Sequence, residues 1–260
     1  MELTAAAPAT LRVRLDGEIG FIQIHRPEAN NTLNAAMVRE FTDALDRFRE
    51  SAKIVVVEGL PEVFCYGADF GAIQRDVEGG DPRPDDPGPL YDLWLRLATD
   101  PYVSIAHVRG KANAGGMGFV AACDLVLCDD KAVFSLSEIL FGLLPACVMP
   151  FLIRRVGRSR ANYMTLMSQP VAAKQALEWG LADACEENSE NLLRRHLLRL
   201  RRLNRTAIAR HKRYLGGLQG SLEDCRAGAL AANLEAFSDR DNLGKIARYV
   251  KTGKFPWEGD

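Results

Sequence analysis

The chain has 260 residues, of which 47% are hydrophobic and 26% charged, and its formal net charge is -1. This balance is typical of a globular protein that is long enough to bury a core. The small net charge provides no overall field for nucleic acid or a membrane surface, and no apolar run reaches the roughly 18 residues of a membrane-spanning helix. Residues 1–10 lack a basic region followed by an apolar stretch, so we expect no signal peptide and a cytoplasmic protein.

The six cysteines are scattered and form no C-x-x-C pair. Most have apolar neighbours, which predicts reduced thiols that behave as small hydrophobic side chains. The four histidines have no ligand spacing, so we expect no metal site.

The first elements are a hairpin, a helix and a buried strand. Residues 11–24 predict two strands around Asp16-Gly17, and Arg26-Pro27 ends the second strand. Asn34 is placed to cap a helix over about residues 35–51. The β-branched run at 54–58 is typical of a strand that is buried on both faces.

Strands and helices alternate through the middle of the chain. Residues 103–108 and 125–128 predict strands, and the Ala- and Gly-rich residues 115–122 between them predict a tightly packed helix. The alternation indicates an α/β fold with right-handed crossovers. Strand signals fade from Gln175 onward, so we predict a core over residues 1–190 and a helical region over residues 191–260 within one functional unit.

Residues 76–89 interrupt this pattern with four prolines, three glycines and five acidic residues. The composition predicts a solvated, mobile loop that is too long for a simple connector. It could serve as a lid, followed by a helix at 90–98, or be an insertion without a role.

Residues 194–213 carry nine Arg or Lys and no acidic residue. A charge run usually marks a solvated helix face. This density of cations equally fits a surface for an anionic partner.

Two segments carry the chemistry. Residues 64–70 read F-C-Y-G-A-D-F after a strand and a turn, where a glycine lets the backbone bend and present N–H groups to an oxyanion. Residues 110–118 read G-K-A-N-A-G-G-M-G at the start of a helix, where free N–H groups favour negative charge. The second segment has the spacing of neither a phosphate-binding loop nor a dinucleotide-binding fingerprint.

Together the two segments resemble the paired oxyanion-hole motifs of the crotonase, or enoyl-CoA hydratase/isomerase, superfamily. Other stretches along nearly the whole chain are similar to that family: H-R-P-E-A-N-N at 25–31, C-D-L-V at 123–126, F-S-L-S-E at 134–138, G-L-L-P at 142–145 and A-L-E-W-G-L-A-D at 176–183. The resemblance implies a repeated β-β-α spiral with a C-terminal helical trimerisation region, and a homotrimer or a dimer of trimers.

The resemblance also implies the site. The backbone N–H groups of Ala68 and Gly115 would polarise a thioester carbonyl. Of the two glutamates usual in the hydratases, one matches Glu138 and the other falls on Gly118, so one acid/base carboxylate is retained. Asp69 would be either a helper acid/base or, as we favour, a loop-stabilising group. Residues 135–138 also fit a capping box, which would make Glu138 structural.

The implied contacts to substrate or cofactor are those of Arg26, Gly67, Gly116 and Gly118. No dissociable cofactor is implied, because the acyl group would be carried on phosphopantetheine or on CoA.

Residues 113–124, 141–147 and 198–203 are similar to the first crotonase-type enzyme of polyketide β-branching cassettes. That enzyme dehydrates 3-hydroxy-3-methylglutaryl on an acyl carrier protein to the 3-methylglutaconyl thioester. The resemblance implies a carrier protein as partner. Lys111, Arg75 and His107 are candidates for binding the distal carboxylate, although we favour a surface or packing role for each. The alternatives are a CoA-level enoyl hydratase or isomerase and, in another class, an inactive scaffold or an RNA-binding protein. We expect neither nucleic acid nor a membrane as partner.

Overall fold

The computed structural model describes residues 10–79, 85–218 and 221–258. Its strands are β1 (Leu11–Asp16), β2 (Ile19–Ile24), β3 (Ile54–Glu58), β4 (Val63–Cys65), β5 (Val103–Val108), β6 (Lys111–Asn113), β7 (Leu125–Cys128), β8 (Val133–Ser135), β9 (Val171–Ala172) and β10 (Ala184–Cys185). Its α-helices are α1 (Ala35–Phe48), α2 (Phe70–Glu78), α3 (Gly88–Thr99), α4 (Gly116–Ala122), α5 (Met149–Met167), α6 (Ala173–Glu178), α7 (Ser189–Leu200), α8 (Arg205–Gly216), α9 (Leu222–Ser238) and α10 (Arg240–Thr252). Short 3-10 helices cover Pro27–Ala29 and Glu138–Phe141.

The larger sheet has the order β1-β2-β3-β5-β7-β10. The β1–β2 hairpin is antiparallel and the remaining pairs are parallel. The predicted hairpin and the strands at 54–58, 103–108 and 125–128 are confirmed. The α/β class with repeated β-β-α units and C-terminal helices is confirmed as well.

A second sheet, of order β4-β6-β8-β9, was not predicted. The first three of these strands are parallel neighbours, and β9 runs antiparallel to β8. Each has only two or three residues, which is too short for a hydrophobic period to register. This sheet arranges the site described below.

Several boundaries differ from the sequence-based prediction. Helix α1 ends at Phe48, and strand β10 lies after Gln175, in the stretch where the sequence shows no strand signal. The predicted loop at 76–89 is shorter at both ends, because residues 76–78 belong to α2 and residues 88–89 to α3. Its central residues 80–84 lie outside the described part, so the lid stays a prediction.

The C-terminal helices pack on the core at two places. Leu192, Leu193 and Ile208 of α7 and α8 cover the outer face of the larger sheet. Ile246 of α10 packs in a separate apolar cluster with Phe141 of the second 3-10 helix. Helix α10 therefore lies beside the segment that begins at Glu138. Within the described residues, no helix is long and apolar enough to cross a membrane.

Candidate active site

Three of the predicted residues follow neighbouring strands of the second sheet. Ala68 comes after β4, Gly115 after β6 and Glu138 after β8. The three strands are parallel, so their carboxyl ends meet at one edge. The fold therefore brings together residues that lie 70 positions apart in sequence.

The direction of the Ala68 N–H follows from its peptide unit. The Gly67 carbonyl accepts a hydrogen bond from the Leu33 N–H at 2.7 Å. In a trans peptide the C=O and N–H point in opposite directions, so the Ala68 N–H points away from Leu33. Gly67 adopts a φ of 87°, which glycine tolerates without strain.

The Gly115 N–H is directed in the same way. The Ala114 carbonyl accepts from the Met117 N–H at 2.9 Å inside the first turn of α4, which turns the Gly115 N–H away from that helix. Ala114 has a φ of 48°, and such strain in a non-glycine residue is typical of functional sites.

The two peptide segments are in direct contact. A methyl group on Gly67 would lie 3.1 Å from the Gly115 nitrogen. Among residues 10–79, 85–218 and 221–258, neither the Ala68 nor the Gly115 N–H donates a hydrogen bond to another group. Two adjacent, unpaired donors form the arrangement that stabilises an oxyanion.

Asp69 and Arg26 support the first donor. The Asp69 carboxylate accepts from the Ala72 N–H at 3.0 Å and caps α2. The Arg26 guanidinium lies 3.6 Å from Asp69 and donates to the Thr32 carbonyl at 2.5 Å. These contacts fit the loop-stabilising role expected for Asp69. A ligand contact of Arg26 stays a prediction.

Sequence reasoning missed Asn31, which holds the first donor segment in place. Its buried side-chain amide donates to the carbonyls of Ile24, Val63 and Phe64, each at 3.1 Å. This joins the end of β2 to β4. The only available signal was an Asn pair after Arg26-Pro27, which favours a turn.

Glu138 begins a 3-10 helix rather than completing a capping box. Ser137 precedes that helix without a side-chain cap, and the Ser135 hydroxyl donates instead to the Asn113 side chain at 2.8 Å. The Asn113 amide in turn donates to the Ser137 hydroxyl at 3.0 Å. The capping-box alternative is therefore wrong, and these bonds fix the Glu138 segment to the second donor segment.

The Glu138 carboxyl is buried, with 8% of the residue exposed, and its Oε2 has no hydrogen-bond partner among the described residues. Burial raises its pKa to about 7, against the opposite effect of the Glu138 and Ser137 N–H groups. A carboxyl with this pKa can both accept and return a proton near neutrality. Cys65, the nearby thiol, is no nucleophile, because burial raises its pKa to about 12.

The same shift links folding stability to pH. The folded chain holds the Glu138 proton more tightly than the unfolded chain. The resulting contribution to folding stability is fully present below pH 4.5 and is lost as the pH rises through about 7. Glu138→Gln cannot ionise. As the pH rises through this range, we expect its free energy of unfolding to increase by about 1–3 kcal/mol relative to that of the wild type. Urea unfolding of both proteins across this range measures the difference. A constant difference would contradict the raised pKa.

Gly116 and Gly118 have no room for a side chain, because atoms of Cys65 and Trp94 lie close to them. A methyl group on Gly116 would lie 2.3 Å from the Cys65 carbonyl oxygen. A methyl group on Gly118 would lie 2.3 Å from Cε2 and Cζ2 of Trp94. The indole of Trp94 thus fills the space into which a side chain at position 118 would project, a contact that sequence reasoning missed.

His107 is not available to bind a substrate carboxylate. It is fully buried, its Nδ1 lies 2.8 Å from Glu58, and its Nε2 lies 2.9 Å from the Ser189 hydroxyl. Glu58, His107 and Glu190 also have the spacing of metal ligands, but Glu190 pairs with Arg109 at 2.8 Å. The existing contacts of this cluster join β3 and β5 to α7. Arg75 and Lys111 stay candidates for binding the distal carboxylate of the substrate.

The basic run at 194–213 is partly used within the chain. Lys212 is buried and donates to Asp124 at 2.8 Å and to the Tyr102 carbonyl at 2.9 Å, so it cannot contact a partner. Arg195, Arg201 and Arg205 contact Glu186, Asp16 and the Glu50 carbonyl. The exposed remainder consists of Arg194, Arg199, Arg202, Arg210 and Arg213.

This fold and this pair of donors define a class of thioester-binding enzymes. The chain belongs to the enoyl-CoA hydratase/isomerase family, whose model matches residues 14–260. Over 250 residues it is 52% identical to the bacillaene synthase dehydratase PksH of Bacillus subtilis (strain 168), with 96% of each chain covered.

Solved structures agree with this assignment. The crystal structure of a Bacillus subtilis protein described as a polyketide biosynthesis enoyl-CoA hydratase (pksH) has a TM-score of 0.94 and 51% identity, covering 96% of this chain and 100% of that one. An enoyl-CoA hydratase/isomerase from Xanthobacter autotrophicus Py2 has a TM-score of 0.84 at 23% identity and covers 95% of each chain. The second likeness concerns the fold alone.

Proposed function

We propose that this protein dehydrates 3-hydroxy-3-methylglutaryl-acyl carrier protein to 3-methylglutaconyl-acyl carrier protein during polyketide β-branching. The observation that carries the proposal is the buried carboxyl of Glu138, the one buried carboxyl among the described residues, which follows β8 as the donors Ala68 and Gly115 follow the parallel neighbours β4 and β6. A dehydration needs a group that takes one proton and returns it, which one carboxyl near neutral pKa can do. The similarity to a dehydratase of bacillaene synthesis supports this reaction and its polyketide setting.

The reaction begins at the thioester. Its carbonyl oxygen accepts hydrogen bonds from the Ala68 and Gly115 N–H groups, and the ionised Glu138 removes the α-proton. The electron pair of the C–H bond moves onto the thioester oxygen, where the two fixed donors stabilise the negative charge. Glu138 then holds the proton at its buried position.

The second step expels the β-hydroxyl group. The enolate re-forms the thioester carbonyl and a carbon–carbon double bond as the C–O bond breaks. The departing oxygen takes the proton from Glu138, so water leaves and Glu138 is ionised again. One carboxyl serves both steps when the proton and the hydroxyl leave from the same face.

Mass spectrometry of the carrier-bound acyl group tests the proposal directly. Incubating 3-hydroxy-3-methylglutaryl-acyl carrier protein with the protein is expected to remove one water and no carbon dioxide. The same acyl group on CoA provides the comparison. A strong rate on CoA with none on the carrier would favour a CoA-level hydratase, and an unchanged acyl group on both would reject the proposed reaction.

The exposed arginines of the basic run support docking of a carrier protein. Arg199 and Arg202 lie exposed at the end of α7 and just after it. Acyl carrier proteins are acidic and their prosthetic arm bears a phosphate, and guanidinium groups bind carboxylates and phosphates well.

Reversing two of these charges is therefore expected to weaken carrier binding. The double variant Arg199→Glu/Arg202→Glu should raise KM for the carrier-bound substrate about 10-fold or more at low salt, with kcat nearly unchanged. Steady-state kinetics at two ionic strengths measures the effect, because salt screens exposed charges. Arg47→Glu, at an exposed site on α1 outside the run, is the matched control. Equal KM values for the two variants would contradict this docking surface.

We further propose that the chain forms a homotrimer or a dimer of trimers through its C-terminal region. Tyr214, Leu215 and Leu218 near the end of α8 are 68%, 49% and 58% exposed. Apolar side chains clustered on a surface are typical of an interface. Light scattering during size-exclusion chromatography measures the mass, and a monomer at micromolar concentration would contradict the assembly.

A further inference from the structure

Two unpaired polar atoms belong to side chains on segments next to those of the donor pair. In the described part of the chain, four buried side-chain polar atoms lack a hydrogen-bond partner, and Glu138 Oε2 and Trp94 Nε1 are two of them. The mechanism above uses Glu138 and leaves the Trp94 N–H without a role. Trp94 is only 1% exposed, and its ring neighbours Phe119 and Phe151 are hydrocarbon. A buried donor that remains unpaired destabilises the fold, so this N–H is free to donate to a bound ligand.

The position of the indole indicates which ligand atom it meets. A methyl group on Gly118 would lie 2.3 Å from Trp94 Cε2, the ring carbon bonded to Nε1. The indole therefore takes up the space into which a side chain at position 118 would project. Gly118 lies in the first turn of α4, three residues after the donor Gly115. The β-carbon of a thioester is two bonds from its carbonyl carbon, so a group that covers this turn lies on the side of the β-hydroxyl of a thioester held by Gly115.

We propose that the Trp94 Nε1–H donates a hydrogen bond to the β-hydroxyl oxygen of the substrate as the C–O bond breaks. An indole N–H only donates, so it cannot act as a base as a carboxylate would. The oxygen gains electron density as it leaves, and a fixed donor stabilises that charge while Glu138 delivers the proton. Trp94 keeps its own proton throughout. The inference rests on the dehydration proposed above.

The test separates loss of the leaving hydroxyl from removal of the α-proton. One assay follows dehydration of the carrier-bound hydroxymethylglutaryl group. The other follows α-deuterium exchange in D2O on a carrier-bound 3-methylbutyryl group, which has no β-hydroxyl. Trp94→Phe removes the N–H, and a benzothienylalanine at position 94 replaces it by sulfur in a ring of the same shape. Phe151→Leu is the control, because it loosens the same aromatic cluster and leaves the N–H in place.

Trp94→Phe and the benzothienyl variant are expected to dehydrate about 10- to 100-fold more slowly, while α-exchange stays within about twofold of the wild type. Phe151→Leu should not show this selective loss. The inference is overturned if the benzothienyl variant dehydrates at the wild-type rate, if both reactions fall equally in it, or if the control shows the same selectivity. A wild-type protein that exchanges the α-proton without dehydrating would reject the proposed function, and this inference with it.

Discussion

Glu138→Gln is expected to lower the rate of dehydration about 10²- to 10⁴-fold, the range for loss of a general acid–base group. The glutamine has the same shape and cannot accept the α-proton. The wild type should show the matching pH dependence, because only the ionised carboxyl acts as the base. Its kcat/KM is expected to rise with pH through about 7 and to level off above it.

Rapid-quench mass spectrometry on the carrier-bound substrate measures the rates of both proteins. Circular dichroism and carrier binding should be unchanged in the variant, which separates lost chemistry from lost folding. If Glu138→Gln dehydrates as fast as the wild type, or if the wild-type profile is flat between about pH 6 and pH 8, Glu138 is not the base.

Gly67→Ala is expected to lower dehydration about 10²- to 10³-fold, as loss of one oxyanion donor does. The added methyl would lie 2.6 Å from the Ala114 Cβ and 3.1 Å from the Gly115 nitrogen, so the two donor segments must move apart. The φ of 87° at Gly67 is also unfavourable for alanine. Both effects displace the Ala68 and Gly115 N–H groups relative to one another.

Gly17→Ala is the matched control for this variant. Gly17 also has a positive φ, of 59°, in the β1–β2 turn, but a methyl there meets nothing within 4 Å. Both variants should lose about 1–2 kcal/mol of stability through backbone strain. Only Gly67→Ala should lose activity, as measured by the same dehydration assay at a temperature where both variants are folded. Comparable activity of the two variants would show that the close contact at Gly67 is not required for catalysis.

The resemblance to the family implied the donor pair, and that resemblance could be seen because its glycine-containing motifs are local. The segments around Gly67 and Gly115 are recognisable without knowing where they lie in space. Their contact depends on the sheet that joins β4, β6 and β8, and strands of three residues carry too little pattern to be seen. The choice between a capping and an acid/base role for Glu138 likewise depended on neighbours from β6.

Long-range packing decided the features that the sequence could not predict. The glycine at 118 indicated a missing carboxylate, but the identity of the group above it depends on α3, whose Trp94 is 24 positions earlier in the chain. The basic run at 194–213 likewise shows that composition does not predict which side chains become buried. Its composition predicted nine similar cations, whereas the fold buries Lys212 against Asp124 and leaves Arg199 and Arg202 exposed.

By itself, then, the sequence determined the α/β class and the family, because these depend on local periodicity and on motifs of contiguous residues, and the resemblance to that family implied the two backbone donors. The tertiary structure alone decided that Glu138 is buried with a pKa near 7, and that Trp94 covers Gly118. Burial and desolvation are sums over atoms from distant parts of the chain, so they exist only once the elements have packed.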